Sequence, residues 1–157
     1  MKRAVILLLM LLLLNDSGCA AQEEIFGLSP QDFTVVAESD SHGGFLGDGL
    51  YVLTLDCAQN RDKALATVST WKTLPLSENL QLMLYGGERN GTIYGYDLAQ
   101  EAGIPQIDNG WYRFEDRHDQ SKDPADDTAL LDRFSYNFSL AIYDADADRL
   151  YYLEFDT

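Results

Sequence analysis

Three aspartates at every second position, Asp144, Asp146 and Asp148, are the residues whose type and spacing best suit metal chemistry. Carboxylate oxygens are ligands that calcium prefers, so the spacing predicts a candidate calcium site. An EF-hand loop that starts at Asp144 needs glycine at its sixth position and glutamate at its twelfth, where this chain has Arg149 and Phe155. The alternative is a solvated acidic turn in which Asp144 pairs with Arg149 across a hairpin.

A second acidic cluster lies between the last strands of the chain, in a stretch that contains Pro124. Its members are Asp116, Asp119, Asp123, Asp126 and Asp127. Their spacing is typical of a charged loop, and that is the interpretation we favour over a second cation site.

The residues available for zinc or for nucleophilic catalysis are few. His42, His118 and Cys57 lack the close spacing of zinc ligands. A hydrolase that uses Ser41 or another serine, with His42 or His118 as the base, stays open because catalytic triads assemble in space. The chain has no Gly-x-Ser-x-Gly turn to support it. No cofactor is predicted beyond the calcium candidate.

Aromatic residues supply a binding hypothesis, since the chain has two tryptophans, nine tyrosines and seven phenylalanines. If alternate residues of the last strands face a core, the opposite sheet face presents Tyr143 and Tyr152, with Trp111 or Tyr112 beside them. An uncovered aromatic face would bind a peptide or a glycan. The alternative is that residues 77–108 cover this face.

The strands that must position these residues are clearest in the C-terminal third. Residues 111–116 predict one strand, and residues 133–156 predict a long hairpin with its turn between Asp146 and Ala147. The predicted pairing sets Phe138 opposite Phe155, Leu140 opposite Leu153 and Ile142 opposite Tyr151, with all six on one face. A slip by one residue would destroy this segregation, whereas a slip by two would preserve it, so parity is better determined than register.

An earlier hairpin is predicted across a glycine-rich connection at residues 39–49. Residues 33–38 alternate as its first strand and residues 50–57 as its second. Cys57 shares the parity of Leu53 and Leu55, so its thiol is predicted to be buried, apolar in character and free of a disulfide.

Helices are predicted between the two hairpins. Ala64, Val68 and Trp71 recur at helical spacing and predict a helix over residues 61–72 that covers the sheet. Residues 77–85 fit either a second short helix capped by Ser77 or a half-buried strand, and periodicity does not decide between them. The order of elements predicts an α+β fold, with an antiparallel sheet of about five strands and one or two helices packed on one face.

The N-terminus predicts export. Met1, Lys2 and Arg3 precede an apolar run over residues 4–14. That run is too short to cross a hydrocarbon core of roughly 30 Å, but it has the length of a signal-peptide core. We therefore predict a signal peptide at residues 1–18, a tether at residues 19–32 and a single domain at residues 33–157, located outside the cytoplasm.

The residues that end this signal resemble the processing site of bacterial lipoproteins, because the small residues Ser17 and Gly18 precede Cys19. The resemblance implies that Cys19 receives a diacylglycerol and anchors the domain to the lipid bilayer. Asp16 differs from the apolar residue usual at its position in those proteins. The alternative is a secreted protein, cut after Ala20 or Ala21 by ordinary signal peptidase.

Three further segments resemble small, uncharacterised exported proteins and predicted lipoproteins of Gram-positive bacteria. They are residues 71–76, 110–117 and 137–152. The resemblance implies an exported single domain, and it implies no known activity.

The charge of the chain excludes one class of partner. It contains 11 lysines and arginines against 26 aspartates and glutamates, a net charge of −15. Nucleic acid is excluded as a natural partner, because binding to phosphates depends on basic side chains. An anionic membrane surface would also repel the polypeptide, so the acyl chains would provide its attachment.

These patterns predict an exported, lipid-anchored surface domain with a binding role rather than an enzyme. Its partner would be an envelope protein, a peptide or a glycan. The competing hypotheses are a small extracellular hydrolase and a structural or immunity-type envelope protein.

Overall fold

The computed structural model describes residues 23–43 and 47–157. The predicted signal peptide, Cys19 and the first part of the predicted tether lie outside the described residues. The strands are β1 (Thr34–Asp40), β2 (Gly49–Asp56), β3 (Lys72–Thr73), β4 (Gly87–Arg89), β5 (Thr92–Tyr94), β6 (Gly110–Asp116), β7 (Asn137–Asp144) and β8 (Arg149–Asp156). The helices are α1 (Arg61–Val68), α2 (Glu78–Tyr85) and α3 (Leu98–Glu101).

The fold is a sheet-dominated α+β arrangement. Six strands form an antiparallel sheet in the order β1-β2-β8-β7-β6-β3, and β4 pairs with β5 in a separate two-stranded sheet. The predicted class and the antiparallel arrangement are confirmed, and the main sheet has one strand more than predicted. The extra strand is β3, whose two residues are too few to give an alternating pattern.

The register predicted for the C-terminal hairpin is confirmed. Phe138 pairs with Phe155, Leu140 with Leu153 and Ile142 with Tyr151. These side chains pack in one apolar cluster, which explains the register: any odd slip would move them from this cluster to the opposite face.

One face of the sheet, here called the first face, is covered by α2 and α3. Leu80 and Met83 of α2 and Ala99 of α3 pack against Leu140 and Leu153. The helical alternative for residues 77–85 is the observed one, and the Ser77 hydroxyl accepts a hydrogen bond from the backbone N–H of Leu80 at 3.3 Å. An N-cap of this kind satisfies a donor that the first turn leaves unpaired, and this favours the helix over a strand.

The opposite, second face is covered in part by α1, so the prediction of helices on one face is wrong. Ala64 and Val68 of α1 pack with Ala141, Tyr143 and Leu150. The reason is that β7 is buried on both sides, as expected for a central strand between two layers. Helix α1 also ends at Val68, short of the predicted end, because the chain turns into β3.

Burial of the N-terminal segment begins within the predicted tether. Ile25 and Leu28 form an isolated antiparallel bridge and are almost fully buried against the second face. The packed part of the chain thus starts ahead of Phe33, where alternation first becomes visible in the sequence. Two apolar residues so close together are too few to reveal a periodic element.

Cys57 is buried and free, as its parity predicts. It packs in the second-face cluster with Leu53 and Leu55. Burial raises the pKa of the Cys57 thiol to about 12, so the residue remains a protonated, apolar side chain at neutral pH.

Candidate functional site

A groove lies on the part of the second face that α1 leaves open, and it is the strongest candidate site. Its volume is about 280 Å³. Strands β2 and β8 form its floor, the end of β1 forms one wall, and the first described residues form the other. Its lining residues are Glu23, Glu24, Ile25, Pro30, Asp40, His42, Tyr51, Leu53, Tyr152 and Glu154.

Two tyrosines form the aromatic part of the floor. Tyr51 on β2 and Tyr152 on β8 contact each other edge to face, with ring centroids 6.2 Å apart. The Tyr51 hydroxyl donates a hydrogen bond to a Glu38 carboxylate oxygen at 2.9 Å, and the Tyr152 hydroxyl donates to Glu154. Burial, together with these carboxylate neighbours, raises the pKa of both phenols, so they act as hydrogen-bond donors at neutral pH.

His42 joins the β1 wall to the C-terminal strand. Its Nδ1 lies 2.7 Å from an Asp40 carboxylate oxygen, and its Nε2 lies 3.0 Å from a carboxylate oxygen of Asp156. Burial lowers the pKa of His42, but the bonds to the two carboxylates outweigh it and raise the pKa above its ordinary value. Gly49 allows this close packing, because a Cβ there would lie 2.4 Å from the Cα of His42.

Phe26 and Arg113 hold the N-terminal segment in place beside the groove. The Phe26 ring meets Tyr152 and Trp71 edge to face, each with ring centroids 6.1 Å apart. The Arg113 guanidinium lies 5.2 Å from the centre of the Phe26 ring. These contacts fix the segment that brings Glu23 and Glu24 to the groove.

The electrostatic character of the groove is acidic. Four carboxylates line it, on Glu23, Glu24, Asp40 and Glu154. No lysine or arginine occurs in the sequence between Arg3 and Arg61, a segment that includes β1 and β2. Within the lining the counter-charge is His42, which is cationic only when protonated, and outside it the Arg117 guanidinium lies 3.9 Å from Glu154. Such a site favours a positively charged group and disfavours an anionic one.

Of the four aromatic residues predicted as ligand-binding, Tyr152 alone lies in the groove. Of the predicted alternatives Trp111 and Tyr112, Trp111 lies on the second face, whereas Tyr112 pairs with Ile142 and is buried on the first face. Tyr143 is fully buried under α1, and its hydroxyl donates to Asp148 at 2.9 Å. Trp111 packs on Tyr143 with ring centroids 6.2 Å apart. Residues 77–108 cover the first face, not this one.

The three aspartates proposed for calcium do not converge. Asp144 accepts hydrogen bonds from the backbone N–H groups of Asp146 and Ala147, and Asp146 accepts one from the Asn109 side chain. Asp148 forms an ion pair with Arg61 at 2.7 Å. Among residues 23–43 and 47–157, no three histidine, cysteine, aspartate or glutamate side chains are placed to hold a metal ion. The geometry favours an acidic turn, but the predicted ion pair across it is not formed: Arg149 lies opposite Asp144 in the ladder, and its guanidinium approaches Asp56 on β2 at 3.9 Å instead.

The second acidic cluster is anchored at two of its members, which distinguishes it from a freely solvated loop. Asp116 is buried and forms a two-pronged ion pair with Arg133, with N···O distances of 2.6 and 3.2 Å. Asp127 is also buried and accepts a hydrogen bond from the Ser77 hydroxyl. The ion pair joins the two ends of the segment between β6 and β7, and the bond to Ser77 fixes its middle; they do not form a ligand site.

His118 meets a serine and a carboxylate, but its hydrogen bonds do not suit a catalytic base. Its Nε2 lies 3.1 Å from the Ser135 hydroxyl, and its Nδ1 lies 2.9 Å from an oxygen of Asp119, whose side chain is 90% exposed. The same Nδ1 accepts a hydrogen bond from the backbone N–H of Gln120 at 3.1 Å. The carboxylate that orients the histidine of a catalytic triad is buried, whereas Asp119 is exposed to solvent and shares Nδ1 with the backbone N–H of Gln120.

Sequence reasoning missed most of the groove. Tyr51, Asp40 and His42 meet Tyr152 and Glu154 only because β2 pairs with β8, which lies far away in the sequence. The parity that Tyr51 shares with Leu53 and Leu55 was the local signal that Tyr51 lies on this face. No local pattern reports which distant strand lies beside it.

Comparisons with protein-family models, with curated proteins and with solved structures give no significant match. Within the described part of the chain, no helix combines the length and the apolar character needed to span a bilayer.

Proposed function

We propose that this protein is an exported, lipid-anchored binding domain whose groove accepts a positively charged ligand, such as a lysine or arginine side chain of a peptide or an envelope protein. The observation that supports the binding role is the groove itself, a concave and partly aromatic site with acidic walls. The sequence pattern around Cys19 supports the anchor. An enzymatic role has less support, because the carboxylate next to His118, which contacts Ser135, is exposed rather than buried as in a catalytic triad.

The groove suits a cation for two reasons. Carboxylates on the N-terminal wall and on the floor, Glu24 and Glu154, give a negative potential that attracts a positive charge. The rings of Tyr51 and Tyr152 line the floor, and an ammonium or guanidinium group packs favourably against an aromatic ring. An anionic sugar or a phosphate would meet like charges at the same positions.

The binding role is tested with a labelled peptide made only of lysine and, as the opposite-charge probe, one made only of glutamate. We expect Glu24→Gln and Glu154→Gln each to weaken lysine-peptide binding by about two- to fivefold, as for a partly exposed ion pair. Amide shifts of Tyr51 and Tyr152 in NMR titrations locate the contact. Added salt should reduce the affinity further, because the attraction is screened.

The matched control is Glu101→Gln, which neutralises an exposed carboxylate on α3, over the other sheet face. This variant should bind the lysine peptide like the unmodified protein. Equal weakening by Glu101→Gln would mean that net charge, and not the groove, determines binding. Tighter binding of the glutamate peptide would overturn the proposed ligand class.

The lipid anchor is tested by the intact mass of the mature protein from the membrane fraction and from the medium of its host. We expect a membrane-associated species that begins at Cys19 and has the added mass of acyl chains. The Cys19→Ala variant should lose that mass and leave the membrane fraction, whereas Cys57→Ala should keep both. An unmodified protein that begins after Ala20 or Ala21 would contradict the anchor and leave the binding role standing.

A further inference from the structure

The first strand, β1 (Thr34–Asp40), is the end strand of the main sheet and pairs with β2 on one side. All of its residues are exposed, including Val35 at 44% and Val36 at 50%. Strands at the edge of a sheet offer backbone N–H and C=O groups to an added chain, and exposed β-branched residues favour such pairing. The opposite edge, β3, has only two residues and offers no comparable length.

The charges of β1 determine what kind of chain can be added. Natural sheets protect their edges with lysine, proline, bulges or other charged residues, and β1 has no lysine or proline. It contains Glu38 and Asp40, and a bulge lies between Val35 and Ala37. Two copies of this chain joined through β1 would bring these carboxylates together, so a second copy is disfavoured. A basic segment would instead gain cross-strand ion pairs.

We propose that an extended, lysine- or arginine-bearing segment of another protein adds to β1 as a further strand of the sheet. This inference rests on the proposed function and specifies the ligand of the same site as an extended polypeptide. Backbone hydrogen bonds along β1 supply affinity that does not depend on sequence, and the acidic groove supplies selection for basic side chains.

The register of β1 specifies the pattern of the added segment. Glu38 pairs with Leu53 and Asp40 with Tyr51, so both carboxylates lie on the face that contains the groove. Residues that lie next to them on an added strand are two positions apart, because side chains alternate between faces. The segment therefore has basic residues at alternate positions, with apolar or β-branched residues between them.

The inference is tested with a short labelled peptide that alternates lysine and valine, and with two backbone N-methylated forms of it. Each form lacks the N–H donors along one edge of the extended peptide and keeps all of its charges. Strand addition uses only one edge, so we expect one methylated form to bind about tenfold more weakly or worse and the other to bind normally. Hydrogen exchange of β1 amides should slow when the unmodified peptide binds.

A protein variant tests the same surface from the other side. Val36→Lys places a positive charge on the exposed edge and should weaken binding of the alternating peptide by about tenfold. Ile93→Lys is the control, because Ile93 is 80% exposed on β5, in the separate sheet. Both variants should unfold at the same denaturant concentration as the original protein, since neither side chain is buried.

The outcomes separate this inference from the proposed function. If both methylated peptides bind as well as the unmodified one, the cationic site stands and strand addition is overturned. The same holds if the lysine-only peptide binds and the alternating peptide does not. If no basic peptide binds at all, the proposed function and the inference are both overturned.

Discussion

Replacing Gly110 by alanine is expected to lower the free energy of unfolding by at least about 3 kcal/mol. Gly110 begins β6 with a φ of 148°, a conformation that side chains rarely adopt. A Cβ at this position would lie 1.9 Å from the backbone oxygen of Tyr143 on β7. Because β6 and β7 are paired central strands, neither backbone can move away without breaking their ladder. Urea denaturation of the variant measures the loss.

Substitutions at two other glycines separate the cost of a steric clash from the cost of placing a side chain on a backbone with positive φ. Gly103 has a φ of 65°, and no atom lies within 4 Å of the position that a Cβ would take. Gly103→Ala should therefore lower the free energy of unfolding by about 1 kcal/mol. Gly95 has the same free space without a positive φ, so Gly95→Ala should change stability by less than about 1 kcal/mol. A loss at Gly110 no larger than that at Gly103 would contradict the close contact with β7.

The C-terminal hairpin shows what a single sequence can specify. Its strands are long, and alternation puts Phe138, Leu140 and Ile142 on one face together with their partners from β8. Each of these side chains favours the same face of the strand, so apolar and polar residues separate clearly between the two faces. The turn between Asp146 and Ala147 removes the remaining ambiguity of two residues, because a short connection fixes which residues lie opposite each other.

The second layer of the fold could not be predicted in the same way. Ser139 and Ala141 alternate with the large apolar residues of β7, and small or polar residues of this kind usually indicate a solvent-exposed face. In the structure both are buried, and Ala141 packs in the second-face cluster with Val68 and Ile25. A small side chain is compatible with solvent and with a closely packed helix, so the sequence pattern does not distinguish the two.

The candidate site was only partly predictable for a related reason. Alternation along β8 correctly separated Tyr152 from the first-face core, but it gave no information on the neighbours of this residue. The groove depends on the pairing of Tyr51 with Glu154 and on the contact of His42 with Asp156. Both join the N-terminal part of the domain to its last strand, and contacts over such distances leave no local signal.

The second large effect is expected at Arg133. Its guanidinium binds Asp116 with N···O distances of 2.6 and 3.2 Å, and the side chains are 10% and 4% exposed. Arg133→Met keeps the length of the side chain and leaves the Asp116 carboxylate buried without its counter-charge. We therefore expect the free energy of unfolding to fall by about 3 to 5 kcal/mol, measured by urea denaturation at neutral pH.

A surface ion pair with the same separation provides the control for burial. Lys63 and Asp32 also approach within 2.6 Å, but the Lys63 side chain is 61% exposed. Lys63→Met should cost no more than about 1 kcal/mol, because solvent screens the pair and hydrates the carboxylate that remains. The double variant Asp116→Asn with Arg133→Met should be more stable than Arg133→Met alone, since it also removes the unpaired charge. If Arg133→Met costs no more than Lys63→Met, then water reaches Asp116, and the segment between β6 and β7 is held by its backbone and by Asp127 rather than by this ion pair.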